Sequence, residues 1–247
     1  MTRDDDRLDL PPGFTEIALR ERGDAFAHAC AVAAEQGAGA LVRTRRYDLV
    51  EFAVVLEPDE PLAGARRALF AGMHALAEAV AAHCPPEREI AFAWPDALLF
   101  EGGLVGGGRV GWPAGCAEDA VPDWLVFGAM LRAVDMSHVD AGLHPGVTAL
   151  VTEGFELIAT EAVAESFARH LMLAFDMWRE RGFRAVGEAY LQRLPKRKAG
   201  ERRILDERGD LLTSLPAGGP PDRAPFPRDP AAAPTWLDAR TGAPRIG

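Results

Sequence analysis

The spacing of apolar positions along the chain changes repeatedly, and each change predicts a different element. From Asp24 to Gln36 alanines recur around Phe26, with Asp24 placed as N-cap and Gly37 as stop, which predicts a helix. Gly39-Ala40-Leu41-Val42-Arg43-Thr44 reads as a short strand, and Leu49 to Glu57, apolar and β-branched up to Pro58, as a well-buried one. A long helix is predicted from Pro61 to His83, with Leu69, Met73, Leu76 and Val80 on one face and Cys84-Pro85-Pro86 as its end. Glycines and prolines then divide a meander of short strands at Ile90 to Trp94, Ala97 to Phe100, Leu104 to Gly111 and Trp124 to Leu131. Helix returns from 160 to 193, where Phe167, Leu171, Phe175 and Trp178 form a stripe and Gly182 divides two helices.

Beyond Leu194 the pattern weakens. Pro195-Lys196-Arg197-Lys198-Ala199-Gly200 reads as a basic linker, and Arg203 to Leu212 as a β-hairpin turning at Gly209. From Leu215 onward proline and glycine are dense, which predicts a tail that wraps the surface or is mobile. No internal repeat is present. The order of elements predicts an α+β protein with a mixed or mainly antiparallel sheet and flanking helices. It divides into a main domain over 1–195 and a small C-terminal β cap with its tail over 196–247.

Composition narrows the class of function. The 247 residues are 48% hydrophobic and 26% charged, as in ordinary globular proteins, and such a length buries about 70% of its unfolded surface. A net charge of -10 argues against nucleic acid or an anionic membrane as partner, since phosphate-binding surfaces need clustered cations. The acidic start Met1-Thr2-Arg3-Asp4-Asp5-Asp6 lacks the apolar core of a signal peptide, and no apolar run reaches the roughly 20 residues of a spanning helix. A cytoplasmic location is expected. Cys30, Cys84 and Cys116 are widely spaced, and His28, His74, His83, His138, His144 and His170 show no HxH or HExxH spacing, so neither disulfides nor a metal site are expected.

The densest chemical signal is Ala93-Trp94-Pro95-Asp96-Ala97-Leu98-Leu99-Phe100-Glu101-Gly102-Gly103-Leu104-Val105-Gly106-Gly107-Gly108-Arg109-Val110. This run resembles the Trp-Pro-Asn-Asp motif of biotin protein ligases, followed by a turn, a strand and a Lys-x-Ala/Gly-Gly segment. Pro122 to Leu131 resembles the family's next strand, and Glu51 to Glu57 the strand before its long helix. The resemblance covers roughly residues 10 to 195, and the hairpin at 203–212 resembles the C-terminal cap of these enzymes. It implies the class II aminoacyl-tRNA synthetase/biotin ligase-like fold, with biotin, lipoate or ATP as ligands and a biotinyl or lipoyl carrier domain as partner. Holding a carboxylate beside a phosphate requires backbone N–H groups that approach closely and a few cations. The residues that suit this are Gly106, Gly107 and Gly108 as donors, Arg43, Arg45, Arg46 and Arg109 as charge partners, and Trp94 with Asp96 as pocket wall, Asp96 accepting a ligand N–H.

The departures bear on activity. Arg43 to Asp48 stand where the resemblance implies a Gly-Arg-Gly-Arg-Arg-Gly loop, Leu104 aligns with the catalytic lysine, and Gly23-Asp24-Ala25 falls where Ser-Thr-Asn lines the biotin pocket. A leucine cannot stabilise a developing anion. The expected function is binding of a small carboxylate, as an acyl or nucleotide conjugate, with standard ligation in doubt. One alternative is a non-catalytic module that carries a cofactor or docks a carrier domain; another is an acyltransferase using Cys116. Plainer readings stand beside these: the arginines as solvated charges, the glycines as a bulged strand, Trp94 as core and Cys116 as an inert thiol.

Overall fold

The computed structural model describes residues 7–21, 23–136, 146–156, 159–196, 198–216 and 218–245. The acidic stretch Met1 to Asp6, His138, His144 and Arg197 lie outside them.

Seven strands form one sheet: β1 (Thr15–Leu19), β2 (Ala40–Thr44), β3 (Leu49–Leu56), β4 (Ile90–Ala93), β5 (Ala97–Phe100), β6 (Gly103–Gly111) and β7 (Leu125–Arg132), in the order β1-β2-β3-β7-β6-β5-β4. Only β1 and β2 pair in parallel; every other neighbour is antiparallel. The eight-residue ladder of β3 with β7, from Leu49↔Arg132 to Leu56↔Leu125, is the centre of the sheet. Both strands are buried on both faces, which is why they read as near-continuous apolar runs.

Alternation assigns side chains to two faces. Val50, Phe52 and Val54 of β3 and Phe127, Ala129 and Leu131 of β7 pack against α3 (Ala68–Ala81), α4 (Ala159–Arg181) and α5 (Phe183–Gln192) in the main core. Ala53, Val55 and Val126 point the other way, onto α1 (Ala25–Gln36). Helix α1 starts as its sequence predicts: the Asp24 carboxylate accepts the Ala27 N–H at 2.8 Å, and Gly37, at φ 72°, ends it. Gly182, at φ 76°, separates α4 from α5.

The long helix expected over 61–83 is two helices, α2 (Leu62–Ala65) and α3. Between them Arg67, Leu69 and Phe70 donate to carbonyls three residues back, which tightens the turn, and the buried Arg66 reaches out of the helix to pair with Glu118. Strand β1 escaped the periodicity because it is a five-residue edge with only Ile17 and Leu19 as apolar anchors.

Residues 196–247 hold a three-stranded sheet, β8 (Arg202–Leu205), β9 (Leu211–Ser214) and β10 (Asp222–Ala224), then a two-residue hairpin, β11 (Leu237–Asp238) with β12 (Ala243–Pro244). Leu211 and Phe226 join the main core. Trp236 packs with Leu49, Ala97 and Met130 on the α1 face of the large sheet. The tail thus covers the sheet, for a reason its composition does not show: its one tryptophan buries on a patch that α1 leaves open.

Candidate functional site

The α1 face has two covers, helix α1 over one half and the β11–β12 hairpin over the other. Strand pairing sets its side chains in three rows. The first is Ala53, Gly128 and Arg109; the second is Glu51, Met130 and Gly107; the third pairs Leu49 with Arg132. Gly128 and Gly111 make room for Phe26 of α1, since a Cβ at either would lie 2.6 or 2.8 Å from its ring. Arg109 lies 4.0 Å over that ring and donates to Asp24 at 3.2 Å.

Glu51 is a carboxylate 4% exposed in an otherwise apolar strand. It accepts the Ala25 N–H at 2.8 Å and the Thr44 hydroxyl at 3.1 Å. Burial pushes its carboxyl above the usual glutamate range, opposed by the Ala25 and Thr44 hydrogen bonds and by Arg109. Burial also disfavours the Arg109 charge, an effect that Asp24 and Glu51 offset only in part, and it pushes the adjacent Cys30 thiol up to about 11. A carboxyl that binds its proton more tightly folded than unfolded loses stability as pH rises from its ordinary value through its raised one. Glu51→Gln is therefore expected to flatten the fall in stability above about pH 4.3. Urea midpoints across that range check this; a slope identical to wild type would refute the assignment.

The sequence-predicted residues divide between the two faces. Arg109, Gly107 and Asp96 come together on the α1 face and its rim. Arg43 and Trp94 do not: Arg43 points into the bundle face, with Nε 2.6 Å from Glu16, and Trp94 packs on Phe70 at 5.7 Å and Tyr190 at 6.2 Å. Alternation along β2 turns Arg43 toward the bundle face, and Trp94, just beyond β4, packs on the same side. Arg46 is held bidentately by Asp48, at 3.0 and 2.6 Å, and Arg45 is exposed in the same turn.

The three glycines serve close packing rather than N–H donation. Strand β6 is paired on both sides, and the Gly108 N–H goes to the Asp96 carbonyl at 2.9 Å. Gly106, at φ 153°, sits where the β5–β6 register shifts, and a Cβ there would be 2.0 Å from the Met130 carbonyl. A Cβ on Gly108 would meet Met73 and Phe127, and one on Gly107 would be 2.4 Å from the Trp236 ring.

Leu104 is on the same face as Gly107 and packs against the Trp236 cluster. Cys116 follows β6 at its far end, where its Sγ faces the carbonyl oxygens of Ala117 and Ala120 at 3.6 and 3.9 Å. Among the described residues no group of three His, Cys, Asp or Glu side chains could hold a metal ion, and no helix is long and apolar enough to cross a membrane.

Sequence reasoning passed over Glu51 and Arg132 as site residues. Each carried a signal, a charge in or ending an apolar strand, because a buried charge requires a partner.

This sheet, with helices on both faces and a cap after the last helix, defines a protein-ligase catalytic-domain architecture. The model of the biotin/lipoate A/B protein ligase family matches residues 10–192, and the chain belongs to that family. Among solved structures, a biotin protein ligase-like protein of unknown function from Silicibacter sp. TM1040 is 27% identical, with a TM-score of 0.72 over 89% of this chain and 97% of that one. The biotin protein ligase of Aquifex aeolicus in complex with biotin and ATP shares the fold at 13% identity and a TM-score of 0.62, over 85% of this chain and 94% of that one. That of Leishmania major in complex with biotinyl-5-AMP does so at 14% and 0.54, over 87% and 100%. No curated protein matches the chain in sequence.

Proposed function

We propose that the protein binds a small carboxylate of the biotin or lipoate kind, alone or joined to a nucleotide, on the α1 face of its sheet, and that it does not perform lysine-dependent ligation. The observation that carries this reading is Leu104. At the position that the resemblance gives to the catalytic lysine, the side chain is an aliphatic one packed in the cluster of Leu49, Ala97, Met130 and Trp236. Loss of an electrostatic catalyst of that kind costs about 3 kcal/mol or more in transition-state stabilisation.

Support for binding comes from the polar groups retained on that face. Arg109 supplies a cation held between Phe26 and Asp24, and Asp96 supplies an acceptor at the rim. Biotin and ATP are bound by the Aquifex ligase of the same fold. In this reading they, or lipoate, are the ligands to try first, and a biotinyl or lipoyl carrier domain is the partner to try.

Incubation with ATP, a carrier domain and biotin, lipoate or octanoate tests the proposal. The expected result is a rise in melting temperature with one of the carboxylates, because a native-state ligand stabilises by mass action, and no pyrophosphate release or carrier modification. Pyrophosphate release with a modified carrier lysine would overturn the loss of ligation. Absence of any stabilisation would overturn carboxylate binding.

A further inference from the structure

The tail covers the half of the α1 face that α1 leaves open, and it bonds there to two buried charged side chains. At one end Asp96, 6% exposed, accepts the Thr235 N–H at 3.2 and 3.3 Å and the Thr235 hydroxyl. Burial pushes its carboxyl up, and the Thr235 hydrogen bonds act against that shift. In the middle the Trp236 ring, 1% exposed, lies on Gly107 among Leu49, Met130 and Leu104, and its Nε1 donates to the Gly108 carbonyl at 3.0 Å. At the other end Arg132, 6% exposed, donates from Nη2 to the Pro244 carbonyl at 2.6 Å and the Arg245 carbonyl at 3.2 Å.

That groove has an acceptor carboxylate at one end, an apolar floor and a cation at the other. Neutral carbonyls are weaker partners for a guanidinium than an anionic oxygen, whose charge-assisted hydrogen bonds are about twice as strong. Within the tail segment Thr235 to Arg245 only Trp236 and Pro244 are buried. Residues 227–233, which lead into it, are all exposed, and β11–β12 is a hairpin of two residues a side, too short to be stable by itself. Segments with few buried contacts open at low free energy, well below global unfolding.

We propose that the segment from Thr235 to Arg245 is a displaceable strap over the ligand groove, and that its release frees Arg132 to hold an anionic oxygen of the ligand. The role of Arg132 rests on the carboxylate reading above; the opening of the strap does not. The strap supplies Asp96 with N–H and O–H donors and Arg132 with acceptors while the groove is empty, so neither buried charge is left unpartnered. A ligand with N–H donors at one end and a carboxylate or phosphate at the other replaces both sets of bonds.

Hydrogen exchange on the full chain tests the strap without any ligand. The amides of Thr235, Leu237 and Arg245, bonded to Asp96, Pro234 and Trp236, are expected to exchange at least about tenfold faster than those of β3 and β7. Exchange in step with β3 and β7 would overturn the strap. Trp236→Ala is expected to leave the tail amides unprotected while β3 and β7 keep their protection, which also shows that the variant is folded. Biotin, lipoate and ATP are then added separately to the wild type, to Trp236→Ala and to Trp236→Ala with Arg132→Gln. The proposal expects one probe to loosen the tail of the wild type, to bind Trp236→Ala at least about tenfold more tightly, and to lose that gain with Arg132→Gln. A probe that binds the wild type while the tail stays protected overturns the strap and leaves carboxylate binding standing. Binding to none of the three proteins overturns carboxylate binding and the role of Arg132, while a rapidly opening tail still upholds the strap.

Discussion

Arg43→Ala is expected to lower unfolding free energy by about 3–5 kcal/mol, the usual cost of leaving one member of a buried ion pair alone. Arg43 is 4% exposed and its Nε stands 2.6 Å from Glu16, whose side chain is 6% exposed; its Nη1 reaches Glu161 at 3.3 Å. Glu16 also accepts the Leu8 N–H at 3.0 Å, so the pair ties the chain before β1 to β2 and α4. Without the guanidinium the Glu16 carboxylate, its side chain 6% exposed, loses its buried ionic partner. The double variant Arg43→Met with Glu16→Leu should recover most of the loss, because removing both charges removes the desolvation penalty as well as the attraction. Urea unfolding of the two singles and the double measures this. Ligand affinity should be unchanged, since the pair lies on the bundle face. A loss below about 1 kcal/mol would place Arg43 in the class of solvated pairs and refute the assignment.

Phe70→Ala should have an effect of similar size, about 3–5 kcal/mol for truncating a buried aromatic. Phe70 is fully buried, with ring centroids of Tyr190, Phe226, Trp94 and Phe183 at 4.8, 5.0, 5.7 and 6.0 Å. One side chain thus joins α3 to α5, to the start of the Trp94-Pro95-Asp96 turn and to the cap. The expected result is a single cooperative transition at a lower urea midpoint, because the cap shares its apolar core with the main domain. Separate transitions for the cap and the large sheet in the wild type would show that Phe226 does not couple them.

Legibility followed local cause. Asp24 and Gly37 bound α1 because capping and left-handed backbone are one-residue chemistry, readable without knowledge of the rest of the chain. Gly182 divides α4 from α5 for the same reason. Strands β3, β5, β6 and β7 fall within a residue or so of their predicted positions, since long burial demands apolar runs. The break between α2 and α3 was not legible because it goes with the pairing of Arg66 to Glu118, 52 residues away. Strand β1 was not legible because five edge residues carry too little period to register.

The site was legible only as a neighbourhood. Alternation says that Arg43 and Arg45 share a face and that Gly107 and Arg109 share one, but not which face receives the bundle and which receives α1. Packing decides that. Phe52 and Phe127 turn toward α4, which sends Arg43 with them and leaves Glu51, Gly107 and Arg109 opposite.

By itself the sequence determined the ends of α1, the divide between α4 and α5, the central strands β3, β5, β6 and β7, and the leucine at residue 104. Only the tertiary structure decided that Trp94 packs on the bundle core, that Arg132 meets the tail carbonyls of Pro244 and Arg245, and that Trp236 buries on the sheet. The physical reason is the same in each case. Periodicity and capping are properties of a few consecutive residues, whereas the partner of a buried charge or ring is chosen by how the covering elements fit, and a tail without periodicity shows its place only by where its one large apolar side chain can be buried.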